Sequence, residues 1–248
     1  MPEISPSKYL VTCGWDDVPH LDAKAKSELM DATPPHLRDA RSKGTPSLGS
    51  GAIYPVAESE IIVAPFEIPR HYQRAYCMDV GWNKTAAIWG AKDRDSNIIY
   101  LYSEHYRGHA EPSVHAEAIR SRGDWIKGGI DPASRGRSQK DGNALYDTYR
   151  DLGLNLSPAV NAVESGIYET WQRLSGGGLK IFSTMHNTLA EYRIYRRDEN
   201  GKIVKEFDHL MDCMRYLVMT FDSIGQTEPL DAWYGDEHNQ TRDSRTGY

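Results

Sequence analysis

The sequence predicts a mixed α/β fold in which one central sheet carries helices on its faces. Three short apolar runs, joined by turn residues, predict an antiparallel meander in the middle of the chain. Downstream, apolar runs of strand length alternate with amphipathic segments of helical length. Strands that alternate with helices pair in parallel, so the two halves together predict a mixed sheet flanked by helices.

The antiparallel half is preceded by two weaker strand candidates. Ala52–Val56 and Ile61–Val63 are apolar and bounded by proline, which favours edge strands. Asp93-Arg-Asp-Ser-Asn is a cluster of turn formers between two strands of the meander. The strands of the meander are predicted at Ala75–Val80, Thr85–Ala91 and Ile98–Tyr106.

The parallel half is predicted as alternating helices and strands. Pro112 at a first helical position and Gly153 after a helix are typical boundary residues. Glu199-Asn-Gly-Lys predicts the turn of a hairpin between Arg193–Arg196 and Ile203–Glu206. The helices are predicted at Pro112–Arg122, Asn143–Leu152, Glu164–Leu174, Thr188–Arg197 and Phe207–Phe221, and the strands at Ile126–Asp131, Leu154–Leu156 and Leu179–Phe182.

Both ends of the chain carry weaker patterns. The first seventy residues predict a connecting region, with a helix at Ala23–Met30 and a loop rich in Gly, Ser and Pro at Ser42–Gly51. Residues 225–248 have little periodicity and predict a poorly ordered tail. We therefore expect a connecting region (1–70), one folded domain (71–224) and a tail (225–248).

The composition excludes several classes of protein. No run of 18 apolar residues occurs, which argues against a transmembrane helix, and the first residues lack the pattern of a secretory signal. The three cysteines, Cys13, Cys77 and Cys213, are far apart and form no C-x-x-C pair. This pattern disfavours a disulfide framework or a zinc site and fits a reducing compartment.

The charge distribution is more informative than the net charge of −6. Residues 71–220 hold 20 basic and 19 acidic residues, whereas residues 1–70 hold 7 and 10 and residues 221–248 hold 2 and 6. A near-neutral segment can bind DNA when its basic residues share one face and metal covers its carboxylates.

Two aspartates lie at the ends of predicted strands. In a sheet with parallel strands, functional sites form at the carboxyl ends of the strands. Asp79 follows Tyr76-Cys-Met, and an aspartate in an apolar strand is costly unless it is paired or bound to metal. Asp131 ends the predicted strand Ile126–Asp131, the first after the meander. Each has an ordinary alternative, because Asp79 can cap a turn and Asp131, before Pro132, can start one.

The last predicted helix opens with a further acidic group. Asp208 and Asp212 are four residues apart and share one helix face, with His209 beside them. The ordinary alternatives are that Asp208 is an N-cap and that Asp212 pairs with Arg215. Asp79, Asp131, Asp208, His209 and Asp212 are the candidate catalytic residues, and the four aspartates are the candidate metal ligands.

These carboxylates suit hard divalent cations such as Mg²⁺ and Mn²⁺. Two such ions about 4 Å apart can generate a hydroxide nucleophile and stabilise the leaving 3′ oxygen of a phosphodiester. Basic side chains after Asp131 and in the hairpin Arg193–Lys205 would hold nucleic-acid phosphates. The candidate DNA-binding residues are Arg135, Arg137, Lys140, Arg193, Arg196, Arg197 and Lys202.

Four separated blocks together resemble the C-terminal nuclease domain of the large terminase subunits of tailed bacteriophages. The upstream segment Asp39–Pro55 resembles the junction between the ATPase and nuclease domains of that family. The blocks are Met78-Asp-Val-Gly-Trp-Asn-Lys-Thr-Ala, Ile130-Asp-Pro-Ala-Ser-Arg-Gly-Arg-Ser-Gln, Tyr192-Arg-Ile-Tyr-Arg-Arg-Asp and Asp208-His-Leu-Met-Asp-Cys-Met-Arg-Tyr.

The resemblance implies a ribonuclease H-like fold and a metal-dependent endonuclease that cuts double-stranded, concatemeric viral DNA during genome packaging. It also implies two Mg²⁺ or Mn²⁺ ions, a location in the cytoplasm of the infected host and no membrane partner. In a full-length protein the implied partners are an ATPase domain, the portal protein and the small terminase subunit.

The resemblance carries over to the site residue by residue. Asp79 matches the first-strand metal ligand of the family and Asp131 the second acid. The last helix departs from the family pattern, because many relatives have two adjacent aspartates where this chain has Asp208, His209 and then Asp212. The third ligand is therefore Asp208 or Asp212, with His209 as a further ligand or proton shuttle.

A second departure is the missing Walker A motif, since no G-x-x-x-x-G-K-[ST] occurs in the chain. We expect a nuclease part with a remnant of the linker, either truncated or from a split gene, that neither hydrolyses ATP nor translocates DNA. Two alternatives stay open. One is a non-catalytic packaging module that docks on the portal or small terminase subunit, and the other is a resolvase-like nuclease that acts on branched DNA.

Overall fold

A computed structural model describes residues 3–5, 8–9, 13–33, 38–44, 51–136 and 144–229 of the chain. The helices are α1 (Ala23–Ala32), α2 (Arg38–Lys43), α3 (Glu58–Ile61), α4 (Pro112–Arg120), α5 (Leu145–Asp151), α6 (Val163–Ser175), α7 (His186–Ile194) and α8 (His209–Ile224). The strands are β1 (Glu3–Ser5), β2 (Lys8–Tyr9), β3 (Ile62–Val63), β4 (Gln73–Asp79), β5 (Thr85–Lys92), β6 (Ile99–Arg107), β7 (Gly128–Ile130), β8 (Leu156–Pro158) and β9 (Leu179–Phe182). Short 3-10 turns lie at Trp15–Asp17 and Pro132–Arg135.

Seven strands form one mixed sheet in the order β3-β9-β6-β5-β4-β7-β8. Strand β5 pairs antiparallel with β4 and β6, and the other pairs in this sheet are parallel. Six strands therefore run in one direction, and their carboxyl ends meet at one edge. The mixed sheet predicted from the sequence is confirmed. Strands β1 and β2 form a separate antiparallel pair.

Helices cover both faces of the sheet, and the strands alternate between two cores. Ala75 and Cys77 of β4 belong to the larger core, which α6, α7 and α8 cover. Tyr76 and Met78 belong to the second core, which α4 and α5 cover. Helix α8 is the most buried helix, because twelve of its residues are buried. By the same alternation Asp79 points to the face that carries α8.

The element bounds differ from the prediction where tertiary contacts decide them. Ala52–Val56 is not a strand, because it forms only a single bridge, between Ala52 and Arg196, while Ile53, Tyr54 and Val56 pack into the larger core. The predicted strand at Ile61–Val63 is shortened to β3, because Ile61 ends α3.

The predicted hairpin is reduced to its turn. Arg193 belongs to α7, so the flanking strands shrink to one bridge between Arg197 and Ile203. Helix α8 begins at His209 rather than Phe207, because Phe207 has a φ of +55° that a right-handed helix does not accept. The helix also extends to Ile224, three residues beyond the prediction.

The predicted division of the chain at residues 70 and 224 stays a prediction. Ile53 and Ile61, which precede β4 in the sequence, pack into the larger core. Gln226, beyond the other boundary, forms a β-bridge with Arg74. Most of the predicted tail, residues 230–248, lies outside the described residues. Among the described residues, none of the helices has the length and apolar character needed to cross a membrane.

Candidate active site

Two of the predicted acids lie side by side at the carboxyl edge of the sheet. Asp79 is the last residue of β4 and Asp131 directly follows β7, the parallel neighbour of β4. The register pairs Met78 with Ile130, and the Asp131 N–H donates to the Met78 carbonyl at 3.1 Å. The pairing of the two strands therefore fixes the two aspartates as neighbours.

The start of α8 reaches the same edge through His209. Its Nδ1 lies 2.8 Å from Asp79 Oδ2. This hydrogen bond to Asp79 raises the pKa of His209, although partial burial acts against it. The contact joins the helix group of the predicted site to the strand group.

A buried glutamate from a neighbouring helix holds the start of α8. The N–H groups of Leu210 and Met211 donate to Glu191 Oε2 at 2.6 Å and 3.4 Å. Burial raises the pKa of Glu191. Asp208 precedes the first turn, but its side chain makes no capping hydrogen bond. The cap predicted as its ordinary role is therefore made by Glu191, and the Asp208 carboxylate is directed elsewhere.

A second carboxylate holds the start of helix α7, which carries Glu191, in the same way. Glu104 of β6 accepts hydrogen bonds from the backbone N–H groups of Asn187 and Thr188 at 2.9 Å and 2.8 Å. The Asn187 amide and the Thr188 hydroxyl donate to the same carboxylate. Carboxylates stabilise helix N-termini because the first N–H groups lack partners within the helix. Two such contacts in series connect the sheet to the start of α8.

Asp208 and Asp212 are both paired with cations. Lys205 Nζ lies 2.9 Å from Asp208 Oδ2 and 3.1 Å from Asp212 Oδ2. Burial lowers the pKa of Lys205, but the two carboxylates outweigh it, so its pKa is raised overall. Arg215 Nη2 lies 2.9 Å from Asp212 Oδ1. The Asp212–Arg215 pair, which the sequence offered as an ordinary alternative, is therefore present.

The two cations have different surroundings. The Arg215 side chain is only 1% exposed, whereas that of Lys205 is 63% exposed. Helix α6 comes close to Arg215 because Gly166 has no side chain; a Cβ there would lie 2.7 Å from Arg215 Cγ. Arg215 also donates to Asn161 Oδ1 at 3.1 Å, and the Asn161 amide lies 3.5 Å from Asp131 Oδ1. Asn161 thus links the Asp131 and Asp212 sides of the site.

Two of the carboxylates act electrostatically on a third, Asp131. Burial raises the pKa of Asp131, and the negative charges of Asp79 and Asp212 raise it further. Hydrogen bonds from the Ala133 N–H and from Tyr216 act in the opposite direction. The Tyr216 hydroxyl also feels the charges of Asp212, Asp131 and Asp79, which together with burial raise its pKa. Asp79, Asp131 and Asp212 therefore share one electrostatic environment.

This donor set fits a hard divalent cation in kind. Carboxylate oxygens are the ligands such ions prefer, and a cation would relieve the repulsion that raises the pKa of Asp131. Within the described ranges, no group of three or more His, Cys, Asp or Glu side chains is already close enough together to hold a metal ion. The contacts of Asp79 with His209 and of Asp212 with Lys205 occupy oxygens that such an ion would use.

The predicted DNA-binding residues fall into three groups. Arg135, Arg196 and Lys202 are exposed. Arg193 and Arg197 form ion pairs with two contacts each, to Glu58 and Glu164 respectively. Arg137 and Lys140 lie outside the described residues.

Sequence reasoning did not find Glu191, Glu104 or Asn161, because each acts on residues distant along the chain. The pairing of Lys205 did carry a local signal, since it stands three residues before Asp208 and seven before Asp212. Charge spacing on the segment that leads into the helix would have predicted that contact.

The model of the family described as the Terminase RNaseH-like domain matches residues 77–221 of this chain. The large terminase subunit of Enterobacteria phage LP7 is 32% identical over 223 residues, which cover 86% of this chain and 46% of that protein. This chain spans less than half of the length of the curated relatives it matches.

Solved structures agree with this relationship. The P22 large terminase nuclease domain superposes with a TM-score of 0.66 at 31% identity, covering 72% of this chain and 96% of that domain. The large terminase nuclease of the thermophilic phage G20c, solved with bound cobalt, gives a TM-score of 0.52 at 13% identity, covering 69% and 98%. The mixed seven-stranded sheet is the RNase H-like fold of terminase nuclease domains. With the family model spanning more than half of the chain and this likeness to the P22 domain, the chain belongs to the family of terminase RNaseH-like domains.

Proposed function

We propose that this chain is a metal-dependent endonuclease that cleaves double-stranded, concatemeric viral DNA during genome packaging in the infected cell. In a full-length protein it would work beside an ATPase domain, the portal protein and the small terminase subunit. The observation that carries the proposal is the placement of Asp79 and Asp131 as neighbours at the carboxyl edge of the sheet, with His209 of α8 in contact with Asp79 and Asn161 linking Asp131 to the partner of Asp212.

Divalent metal ions are the cofactor that this donor set supports. The G20c nuclease has been solved with cobalt and with magnesium. At 13% and 14% identity that likeness concerns the fold, so the assignment to this chain depends on its own carboxylates. Two Mg²⁺ or Mn²⁺ ions, when bound, would activate a water molecule and stabilise the leaving 3′ oxygen of the phosphodiester.

The contacts of each candidate site residue suggest its role in the proposed reaction. Asp79 and Asp131 would bind metal from the strand ends, and Asp212 is the third carboxylate. Asp212 ranks above Asp208 because its partner Arg215 donates to Asn161, whose amide lies 3.5 Å from Asp131 Oδ1. His209 orients the Asp79 carboxylate through their hydrogen bond. Exposed Lys205 would release Asp212 when metal binds, whereas buried Arg215 would remain in place.

Phosphate binding would fall to the exposed basic residues near these acids. Arg135 lies in the 3-10 turn that directly follows Asp131 and is exposed. A guanidinium in this position can make the charge-assisted hydrogen bonds to phosphate that fix the register of a nucleic acid.

Nicking of supercoiled plasmid in the presence of Mn²⁺ tests the proposal. We expect the wild-type protein to convert supercoiled plasmid to open circles and linear DNA, and Asp79→Asn to reduce this to background. Asp151→Asn, an exposed aspartate of α5, is the matched control and should nick like the wild type.

Two results would contradict the proposal. One is a wild-type protein that does not nick with Mn²⁺ or Mg²⁺, and the other is equal nicking by the wild type and Asp79→Asn. Calorimetric titration with Mn²⁺ adds a second readout, because the non-catalytic docking module predicts no metal binding that depends on Asp79 and Asp131.

A further inference from the structure

Two exposed aromatic residues stand close along the chain to the Asp79–His209 contact of the candidate active site. Trp82 is 64% exposed and Phe207 is 55% exposed, and both are among the large apolar residues that the described part of the chain leaves open to solvent. Neither ring is needed for the core. Large aromatic surfaces gain free energy when they are covered, so such rings favour contact with a ligand or partner.

The hydrogen bond between Asp79 and His209 brings the two aromatic segments to the same place. Trp82 follows Asp79 by three residues, and Phe207 precedes His209 by two. Since Asp79 Oδ2 and His209 Nδ1 are 2.8 Å apart, both rings are carried by short segments that start at this contact. Two exposed aromatic residues therefore stand within three residues of this contact along the chain.

The backbone around Trp82 is held firmly in place. The His109 N–H donates to the Trp82 carbonyl at 3.0 Å, and the two rings meet edge to face with centroids 6.1 Å apart. Gly108 permits this approach, because a Cβ there would lie 2.1 Å from the Asn83 carbonyl oxygen. A ring on a fixed backbone loses little conformational freedom when it binds.

Phe207 is placed in an unusual backbone conformation. Its φ of +55° is rare for a bulky residue other than glycine, and such strain concentrates at functional sites. The strain turns the chain sharply just before α8 and leaves the ring at the surface.

Positive charge accompanies the Trp82 ring. Lys84 Nζ lies 4.2 Å from the centroid of the Tyr106 ring, and Arg107 at the end of β6 is exposed. Thr85 pairs with Arg107 across the sheet, so these cations are carried by neighbouring strand ends. Exposed aromatic rings and cations on neighbouring segments complement bases and phosphates rather than an acidic or apolar protein surface.

We propose that Trp82 and Phe207 stack on nucleotide bases next to the phosphate that is to be cut, with Lys84 and Arg107 contacting the backbone. The inference rests on the proposed endonuclease function and deepens it, because a base stacks on a ring only after it has left its neighbour in the duplex stack. The substrate strand is therefore locally opened at the cut, and both rings are positioning residues rather than catalytic ones.

The test compares DNA binding without cleavage, in EDTA, by fluorescence anisotropy. The probes are a fluorescein-labelled duplex with a short central run of mismatches and the fully paired duplex of the same length. We expect Trp82→Ala to weaken binding to the mismatched duplex by at least about fivefold, the lower end of the effect of one stacked base, and Phe207→Ala to act in the same direction. The fully paired duplex should lose less, because its bases are already stacked.

Matched variants separate stacking from a general loss of structure. Trp82→Phe keeps a ring and should retain most of the affinity. Tyr168→Ala removes an aromatic residue of α6 that is 57% exposed and should leave binding unchanged. The proposal is overturned if Trp82→Ala and Phe207→Ala bind both duplexes as Tyr168→Ala does.

Nicking and DNA binding together distinguish a failure of the stacking proposal from a failure of the proposed function. Nicking that depends on Asp79, together with unchanged binding by the ring variants, overturns the stacking proposal alone. A wild-type protein that neither nicks plasmid nor binds either duplex overturns both.

Discussion

The two halves of the acid cluster are compensated in different ways. Asp208 and Asp212, on the helix side, already have cationic partners in Lys205 and Arg215. On the strand side Asp131 has a pKa raised by burial and by the charges of Asp79 and Asp212. The helix half is paired with a lysine and an arginine, whereas among the described residues the strand half has only the histidine contact of Asp79.

The difference indicates how metal would enter. The strand half gains most from a divalent cation, because repulsion between its carboxylates is relieved on binding. The helix half must first exchange a cation, and only Lys205 is exposed enough to leave easily. Arg215 is enclosed by α6 and acts as a fixed part of the site.

Removal of the buried cation should have the largest effect. Arg215→Met leaves Asp212 as a buried charge without its main partner, which typically costs about 3–5 kcal/mol of unfolding free energy. The free energy of unfolding, measured by urea denaturation followed by circular dichroism, checks this. Arg94→Met, in the exposed turn between β5 and β6, is the matched control and should change stability by less than about 0.5 kcal/mol. Equal stability of the two variants would remove Arg215 from its structural role.

Glu191 tests whether the helix half depends on the cap of α8. Glu191→Ala leaves the Leu210 N–H without its partner in a buried place, which costs about 1–3 kcal/mol. Affinity for Mn²⁺, measured by calorimetry on the folded protein, should also fall, because Asp212 is no longer held against the strand half. Glu191→Gln retains an acceptor oxygen and should keep most of both properties. A loss of stability with unchanged Mn²⁺ affinity would limit Glu191 to a purely structural role.

Sequence reasoning found the strand half well because local rules govern it. The apolar run that ends in Asp79 and the run that ends in Asp131 each define a strand, and parallel neighbours share an edge. The helical spacing of Asp208 and Asp212 placed them together in the same way. The spacing of apolar residues was therefore enough to predict the sheet and most of the helices.

The remaining features depend on contacts between distant segments. Nothing near Glu191 in the sequence indicates that it caps α8, and nothing near Ile53 indicates that it enters the core instead of forming a strand. The start of α8 at His209 also follows from the tertiary contact and the φ of Phe207, since the sequence pattern continues into that residue. A choice between Asp208 and Asp212 required contacts between distant segments as well, from Arg215 to Asn161 and from Asn161 to Asp131.

Lys205→Met tests the exchange of cations on the helix side. Loss of two ion pairs that join an exposed lysine to buried carboxylates should lower the free energy of unfolding by about 1–2 kcal/mol, less than the loss of the buried Arg215. Affinity for Mn²⁺ should rise by about three- to fivefold, because binding no longer has to break those pairs. Lys202→Met, an exposed lysine of the neighbouring turn, is the control and should leave the affinity unchanged. Weaker Mn²⁺ binding by Lys205→Met would mean that the lysine assists metal binding instead of competing with it.

The smallest expected effect is a change in the free energy of unfolding with pH that depends on Asp131 of the strand half. A carboxyl whose pKa is raised in the folded state holds its proton more tightly there than in the unfolded chain. It therefore stabilises the fold at low pH and loses that contribution as pH rises through the raised pKa. Without metal, Asp131→Asn should become more stable than the wild type at neutral pH, while it keeps the acceptor for the Ala133 N–H.

Urea denaturation in EDTA between about pH 4 and about pH 7, above the ordinary aspartate pKa of about 3.9, measures this difference. Asp147→Asn, an exposed aspartate of α5, should follow the wild-type curve. Saturating Mn²⁺ should reverse the order, because an ion that binds only the folded wild type stabilises it by mass action. If Asp131→Asn is less stable than the wild type at neutral pH without metal, burial and repulsion do not raise the pKa of Asp131 in the folded protein.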